Sequence, residues 1–403
     1  MIYTAFQAQA DLMNPVRAVA RLATTVLGHS RLPEIQALRT LSAAYEMLSR
    51  AQLTHERPAY GLTESTVGNR GVPVVEEAAL DLAFGTLLRF RKDVDVAQPR
   101  VLVVAPLSGH FATLLRGTVK TLLPEHDVYI TDWRNARDVE LRHGVFGFDD
   151  YVDYLIRFLD HLGPGAHILA VCQPCVATLA ATAVMAQSGH SATPRSLTLM
   201  AGPIDCRVNP TKVNELANSK PIEWFERNLI ATVPPHHAGR GRRVYPGFVQ
   251  LSAFMSMNME RHVKAHQELF ANLALGRVEK ANVTKAFYDE YFAVLDLSAE
   301  FYLETVRQVF QEFALPLGTL TFRGQRVDPS AIRRTALLTV EGERDDICAL
   351  GQTVAAHDLC SRLRPYMKKH HMQAGVGHYG VFSGRKWEGQ IYPIVRNMIL
   401  ANE

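Results

Sequence analysis

Long apolar runs are missing from this 403-residue chain. No stretch approaches the ~18 consecutive apolar residues of a membrane span, and Met1 to Pro15 lack the basic-then-apolar pattern of an export signal. Cysteine is scarce and odd in number, five in all, which excludes a tidy disulfide framework and fits a reducing compartment. An excess of one charge is lacking too: 43 Lys+Arg stand against 40 Asp+Glu, mostly near one another, which argues against nucleic acid as a partner. Internal repeats and low-complexity tracts are absent. What is present is 47% hydrophobic content with 21% charge, enough for a large core and too apolar for disorder. The expectation is a soluble cytoplasmic globular protein of two to three units, or one α/β unit with an insertion, at about 150 residues per domain.

Four continuous apolar runs carry the core: Val101 to Ala105, Val128 to Thr131, His167 to Val171 and Ser196 to Ala201. They read as strands buried on both faces, and helices expected over Asp149 to Leu162 and Cys175 to Met185 separate them, as βαβ units with a parallel sheet require. Ahead of them, residues 1–60 read as a helical extension, with one helix starting at Asn14-Pro15 and another over Ala37 to Ala51. Shorter β-branched runs from Leu62 to Arg91 read as strands entering the sheet. The core begins at 61 and continues to 206. From 207 to 322 the alternation stops, and helices rich in Phe, Tyr and Met suggest an inserted cap. The sheet resumes within 323–403 at Ala336 to Val340, and a helix near Tyr392 to Leu400 follows.

Cys172 falls where His167-Ile-Leu-Ala-Val-Cys172-Gln-Pro-Cys175 turns from strand to helix. A nucleophile on a strained strand-to-helix turn, flanked two residues away by small side chains, is the α/β-hydrolase elbow; the flanks here are Ala170 and Pro174. Two other readings fit this segment alone. Cys172-Gln-Pro-Cys175 has the spacing of a redox dithiol, and both thiols also suit simple packing.

Asp345 ends the run Ala336 to Gly342 in a Gly-x-x-Asp pattern, as an orienting carboxylate would, although a strand-end Asp that caps the next helix looks the same and Asp346 is adjacent. His378 lies among Gly375, Gly377 and Gly380 before the last helix, where glycines let the backbone carry an imidazole to the strand ends. The order cysteine, acid, histidine is the hydrolase order, and a dithiol unit needs neither partner. Backbone N–H groups of Gln173 and Leu107, with Ser108 as the neighbour, are the candidate oxyanion donors; Pro106 has none. Ser108 and His110 are candidate substrate contacts, as are Met255 and Met257 among the adaptable apolar residues of the cap. No cofactor or metal is expected: His262 and His266 have helical i, i+4 spacing without a third ligand and read as a solvated face. His370-His371 beside Lys368-Lys369 reads as exposed. The Pro/Gly/basic stretch 234–243 reads as a surface loop, with Arg240 to Arg243 a candidate for coenzyme phosphates.

Several segments together resemble the intracellular poly(3-hydroxybutyrate) depolymerases, α/β-hydrolase relatives of the polyhydroxyalkanoate synthases: Ala105-Pro-Leu-Ser-Gly-His-Phe-Ala-Thr-Leu-Leu115, Tyr129-Ile-Thr-Asp-Trp-Arg-Asn135, Phe148-Asp-Asp-Tyr151, Val171-Cys-Gln-Pro174, Gly202-Pro-Ile-Asp205 and Gly377-His-Tyr-Gly-Val-Phe-Ser-Gly384. The resemblance covers nearly the whole chain. It implies an α/β-hydrolase fold with a central mostly parallel sheet, an N-terminal helical extension and an inserted helical cap. It also implies action on polyester storage granules through a Cys172, Asp345, His378 triad. Synthases carry Gly-x-Cys-x-Gly at the elbow, so Ala170 and Pro174 favour the depolymerase side. Water and coenzyme A both remain open as acyl acceptors, and a synthase-like acyltransferase or an inactive granule-coating protein are the alternatives.

Overall fold

The computed structural model describes residues 2–29, 35–94, 96–257 and 259–403. Helices α1 (Ile2–His29) and α2 (Gln36–Arg50) pack on each other ahead of the sheet. The helix expected to start at Asn14-Pro15 begins at Ile2 and carries Pro15 inside it. An interior proline removes a backbone hydrogen bond and crowds the preceding turn. A tertiary anchor offsets this: Tyr3 is buried and its hydroxyl donates to Asp296 at 2.6 Å.

Strands β1 (Glu64–Val67), β2 (Arg70–Leu82) and β3 (Gly85–Lys92) form an antiparallel meander. Strand and helix then alternate through β4 (Arg100–Val104), α3 (Arg116–Leu122), β5 (Asp127–Trp133), α4 (Phe148–Leu162), β6 (His167–Val171), α5 (Cys175–Gln187) and β7 (Ser196–Met200). Every residue of β6 and β7 is buried, because helices cover both faces of a parallel sheet. Helix α4 is amphipathic, turning Tyr151, Leu155, Phe158 and Leu162 to the core. Its first turn is fixed by the Asp150 carboxylate, which accepts from the Gly147 N–H at 2.8 Å. Helix α5 has no polar face in its first nine residues, 175–183, all buried under the sheet.

The cap comprises α6 (Lys212–Asn218), α7 (Ile222–Leu229), β8 (Ala231–Thr232), β9 (Arg243–Tyr245), α8 (Gly247–Met257), α9 (Met259–Ala274), α10 (Val278–Tyr291), β10 (Leu297–Ser298) and α11 (Ala299–Thr305). The last runs on as a π-helical turn, Val306–Gln311. The small antiparallel sheet β10-β9-β8 was not foreseen, since strands of two or three residues are too short to show alternation. A hairpin, β11 (Thr321–Phe322) and β12 (Gln325–Arg326), leads back to β13 (Ala336–Gly342) and β14 (Lys368–Gln373). Strand β14 takes in the segment around His370-His371; as an edge strand it pairs on one side only, so its sequence stays polar. Among the described residues nine strands make one sheet in the order β1-β2-β3-β5-β4-β6-β7-β13-β14, parallel from β5 to β14. None of the described helices is long and apolar enough to cross a membrane.

Candidate active site

The loops that leave β4, β6, β7 and β13 open on one edge of the sheet, the carboxyl ends of parallel strands, where α/β folds bind their ligands. Cys172 follows β6 with φ 67, a left-handed conformation that costs a non-glycine residue about 1–3 kcal/mol. The turn is held from both sides. The Cys172 N–H donates to Met200 O at 2.8 Å, and its carbonyl accepts from the Cys175 N–H at 3.1 Å. Gly202, just after β7, makes room: a Cβ there would lie 2.2 Å from Cys175 Cβ and 3.2 Å from Cys172 O. That glycine, which the elbow motif does not include, does for this elbow what flanking glycines do elsewhere.

The two thiols of the C-x-x-C are free and differ. Cys175 is buried, its thiol directed at Ala170 O (3.5 Å) and Met200 O (3.7 Å), and burial pushes its pKa far up. Cys172 faces a cavity of about 200 Å³ between sheet edge and cap. The environment of Cys175 is that of a packing residue, which disfavours the dithiol reading.

Of the two adjacent carboxylates, Asp345 meets the histidine. Its Oδ2 is 2.8 Å from His378 Nδ1, and its Oδ1 accepts from the N–H groups of Ile347 (2.9 Å) and Cys348 (2.8 Å). Three donors therefore converge on one buried carboxylate. Gly342 allows the histidine loop to sit on this turn: a Cβ there would meet Val376 O at 2.9 Å, and Val376 O in turn accepts from the Arg344 N–H at 2.8 Å. The His378 ring lines the same cavity as Cys172. Burial alone would favour its neutral form. The Cys172 sulfur and the Asp345 carboxylate, by charge and by hydrogen bond, outweigh burial and hold the imidazole pKa well above its usual range.

Leu107, Ser108, His110 and Gln173 line the same cavity, and among the described residues no hydrogen bond engages the backbone N–H of Leu107 or Gln173. His110 is buried, and burial, only partly opposed by the backbone of Tyr291, pushes its pKa down to about 4. Met255 does not belong to the cavity. On α8 the residues facing it are Gln250, Ala253 and Phe254, at i, i+3 and i+4, so the next position turns about 100° away. Met255 lines a separate groove between the N-terminal helices and α9 and α10, beside His266 and Phe292. The side chain of Met257 lies outside the described residues.

Cap residues that sequence reasoning passed over, Leu216 of α6, Phe225 of α7 and Tyr302 of α11, wall the cavity. At helical spacing they are indistinguishable from core. His262 is neither solvated nor a ligand candidate: its Nδ1 is 3.0 Å from Tyr288 Oη, and its ring stacks on Tyr291. No cluster of three or more His, Cys, Asp or Glu among the described residues could hold a metal ion. The basic stretch is partly internal. Arg242 is buried and donates to the carbonyls of Val139 (3.0 Å), Gly144 (2.7 Å) and Glu140 (2.7 Å), and Arg243 pairs with Glu226.

An elbow cysteine, a carboxylate after β13 and a histidine ahead of the final helix, in that chain order on one sheet edge, make this an α/β-hydrolase. Solved structures similar to it include the 2-hydroxy-6-oxo-6-phenylhexa-2,4-dienoate hydrolase of Rhodococcus sp. (11% identity over 82% of this chain and 99% of that one, TM-score 0.44) and a thermophilic esterase of Thermogutta terrifontis (13%, 81% and 98%, TM-score 0.41). Compared with the curated proteins the chain has no match. The family model described as PHB de-polymerase C-terminus matches residues 201–403, and the chain belongs to that family.

Proposed function

We propose that this protein is an intracellular poly(3-hydroxybutyrate) depolymerase that works at storage-granule surfaces and cleaves ester bonds through an acyl-thioester on Cys172. The observation that carries the reading is the 2.8 Å contact between His378 Nδ1 and Asp345, made by a ring that lines the same cavity as the elbow cysteine. His378 Nε2 takes the Cys172 proton, and the sulfur attacks the ester carbonyl. The resulting oxyanion is met by the N–H groups of Leu107 and Gln173 and by the positive end of α5. Collapse expels the alcohol oxygen, which leaves with the proton from His378, and the S–C bond remains. Water then attacks the thioester carbonyl, giving its proton to His378, which returns it to the departing sulfur; the hydroxyacid is released and the thiol restored. Arg242 and Arg243 are engaged by protein groups, so the reading takes water as the acyl acceptor in place of coenzyme A.

Intact-mass spectrometry after mixing with a short hydroxybutyrate oligomer is the test. One acyl group on Cys172, lost in Cys172→Ala together with ester cleavage, is the expected result; cleavage that survives this replacement refutes it.

A further inference from the structure

A helix on a protein surface normally turns polar residues to solvent. The outer side of α1 does the opposite. From Ile2 to Val26, steps of three and four residues alternate without a break through Ala5, Gln9, Leu12, Val16, Val19 and Ala23, and all of these but Gln9 are apolar. Each is exposed except the half-buried Ala23; Leu12 is 76% exposed and Val19 66%. The other side of the helix is already engaged, with Tyr3 and Ala20 buried and Phe6 stacked on Phe248. Ala8, Pro15 and Leu22 widen the apolar band on one flank, and the charged residues within this span, Asp11, Arg17 and Arg21, fall outside the band.

What covers such a band is set by its repeat. A stripe that lies on a flat apolar surface keeps to one side of the helix, with a period of about 3.6 residues. A strict repeat of about 3.5 drifts by about 20° per heptad around a straight helix, hence by about 70° between Ile2 and Val26, and leaves a flat surface. A second helix that coils about the first follows the drift and receives each seam residue in a hole between its own. The chain supplies that partner itself. An antiparallel copy, related by a two-fold axis level with Asn14, sets Ile2 against Val26, Ala5 against Ala23, Gln9 against Val19 and Leu12 against Val16. Small residues then meet small ones, and the opposed helix dipoles attract. The large exposed side chains, Ile2, Leu12, Val16, Val19, Leu22 and Val26, offer on the order of 700 Å² per copy, near the ~800 Å² that each partner gives to a standard interface.

Independently of the chemistry at Cys172, we infer that the protein is a homodimer joined through α1, whose seam from Ile2 to Val26 forms an antiparallel coiled coil with the same seam of a second copy.

Sedimentation equilibrium on the full chain tests this. The wild type is expected at twice the mass of one chain in the micromolar range. Leu12→Glu/Val19→Glu puts unpaired charges into the seam at positions that are exposed within one chain, so it is expected to sediment as a monomer and keep its helical circular dichroism. Gln9→Leu removes the one polar seam residue and is expected to lower the dimer dissociation constant by about tenfold. Mild oxidation of an equal mixture of Ala5→Cys and Ala23→Cys chains is expected to link unlike chains. A wild type that stays monomeric overturns the inference. So do a dimer that persists in the charged variant, a Gln9→Leu dimer weaker than the wild type, and cross-links confined to like chains. A monomeric wild type that binds poly(3-hydroxybutyrate) particles, and loses that binding in the charged variant, assigns the band to the polymer and overturns the inference equally.

Discussion

Asp345→Asn swaps one oxygen for an amide and leaves the shape unchanged, so its consequences follow from who donates to whom. In the native protein both carboxylate oxygens only accept: Oδ1 from two backbone N–H groups, at 2.9 and 2.8 Å, and Oδ2 from His378 Nδ1 at 2.8 Å. An asparagine has one acceptor and one donor for these three donors. With its oxygen toward the ring, its NH2 confronts both backbone N–H groups, stranding two buried donors at about 1–3 kcal/mol each. With its oxygen toward the backbone, only the ring contact changes, so this orientation wins. The NH2 then faces Nδ1, which must present a lone pair, and the ring proton moves to Nε2, the nitrogen required to take the thiol proton. The base is lost by tautomer with little loss of structure. By analogy with the same swap in a serine protease triad, kcat/KM on a soluble hydroxybutyrate oligomer should fall by roughly 10⁴. The thermal midpoint should stay within a few degrees, measured on the same preparation. Retention of activity within about tenfold would refute the orienting role.

Gly202→Ala places a methyl 2.2 Å from Cys175 Cβ, an atom fixed to the first turn of α5, so the elbow must move. Overpacking of this kind costs about 1–3 kcal/mol, and a displaced nucleophile can cost ~100-fold in rate; initial rates and urea unfolding on one sample check both, and unchanged kinetics would contradict the tight packing. Asp296 gives a pH signature. Burial pushes its pKa up from 3.8 to about 6, partly opposed by Tyr3 and the Gly247 N–H. The folded state therefore keeps a proton that the unfolded chain releases between about pH 4 and 6, and stability falls by roughly 3 kcal/mol as pH rises through that window. Asp296→Asn can accept from Gly247 and donate to the Tyr3 hydroxyl, so its urea midpoint should lie above the wild type at pH 7 and converge with it near pH 4; parallel curves would exclude the effect.

The four buried strands were legible because a strand covered on both faces needs a continuous apolar run, a signal that survives without partners. Cys172 and Asp345 could be picked out for a related reason, each following such a run at a sharp turn, whereas His378 stood out by the glycines around it, Gly375, Gly377 and Gly380. β14 was not legible. Lys368-Lys-His-His-Met-Gln373 has no apolar alternation, and its pairing depends on β13 being there first. The cap walls failed for the opposite reason, since an apolar helix face looks the same over a cavity as over a core.

Local chain chemistry, then, determined which segments are strands, where they end, and which reactive side chains stand at those ends, since these depend on residues a few positions apart. Tertiary packing alone decided between Asp345 and Asp346, between the open thiol of Cys172 and the enclosed one of Cys175, and between the two sides of α8 on which Phe254 and Met255 fall. Each of those choices turns on contacts between segments far apart in the chain, made in directions that no run of neighbouring residues encodes.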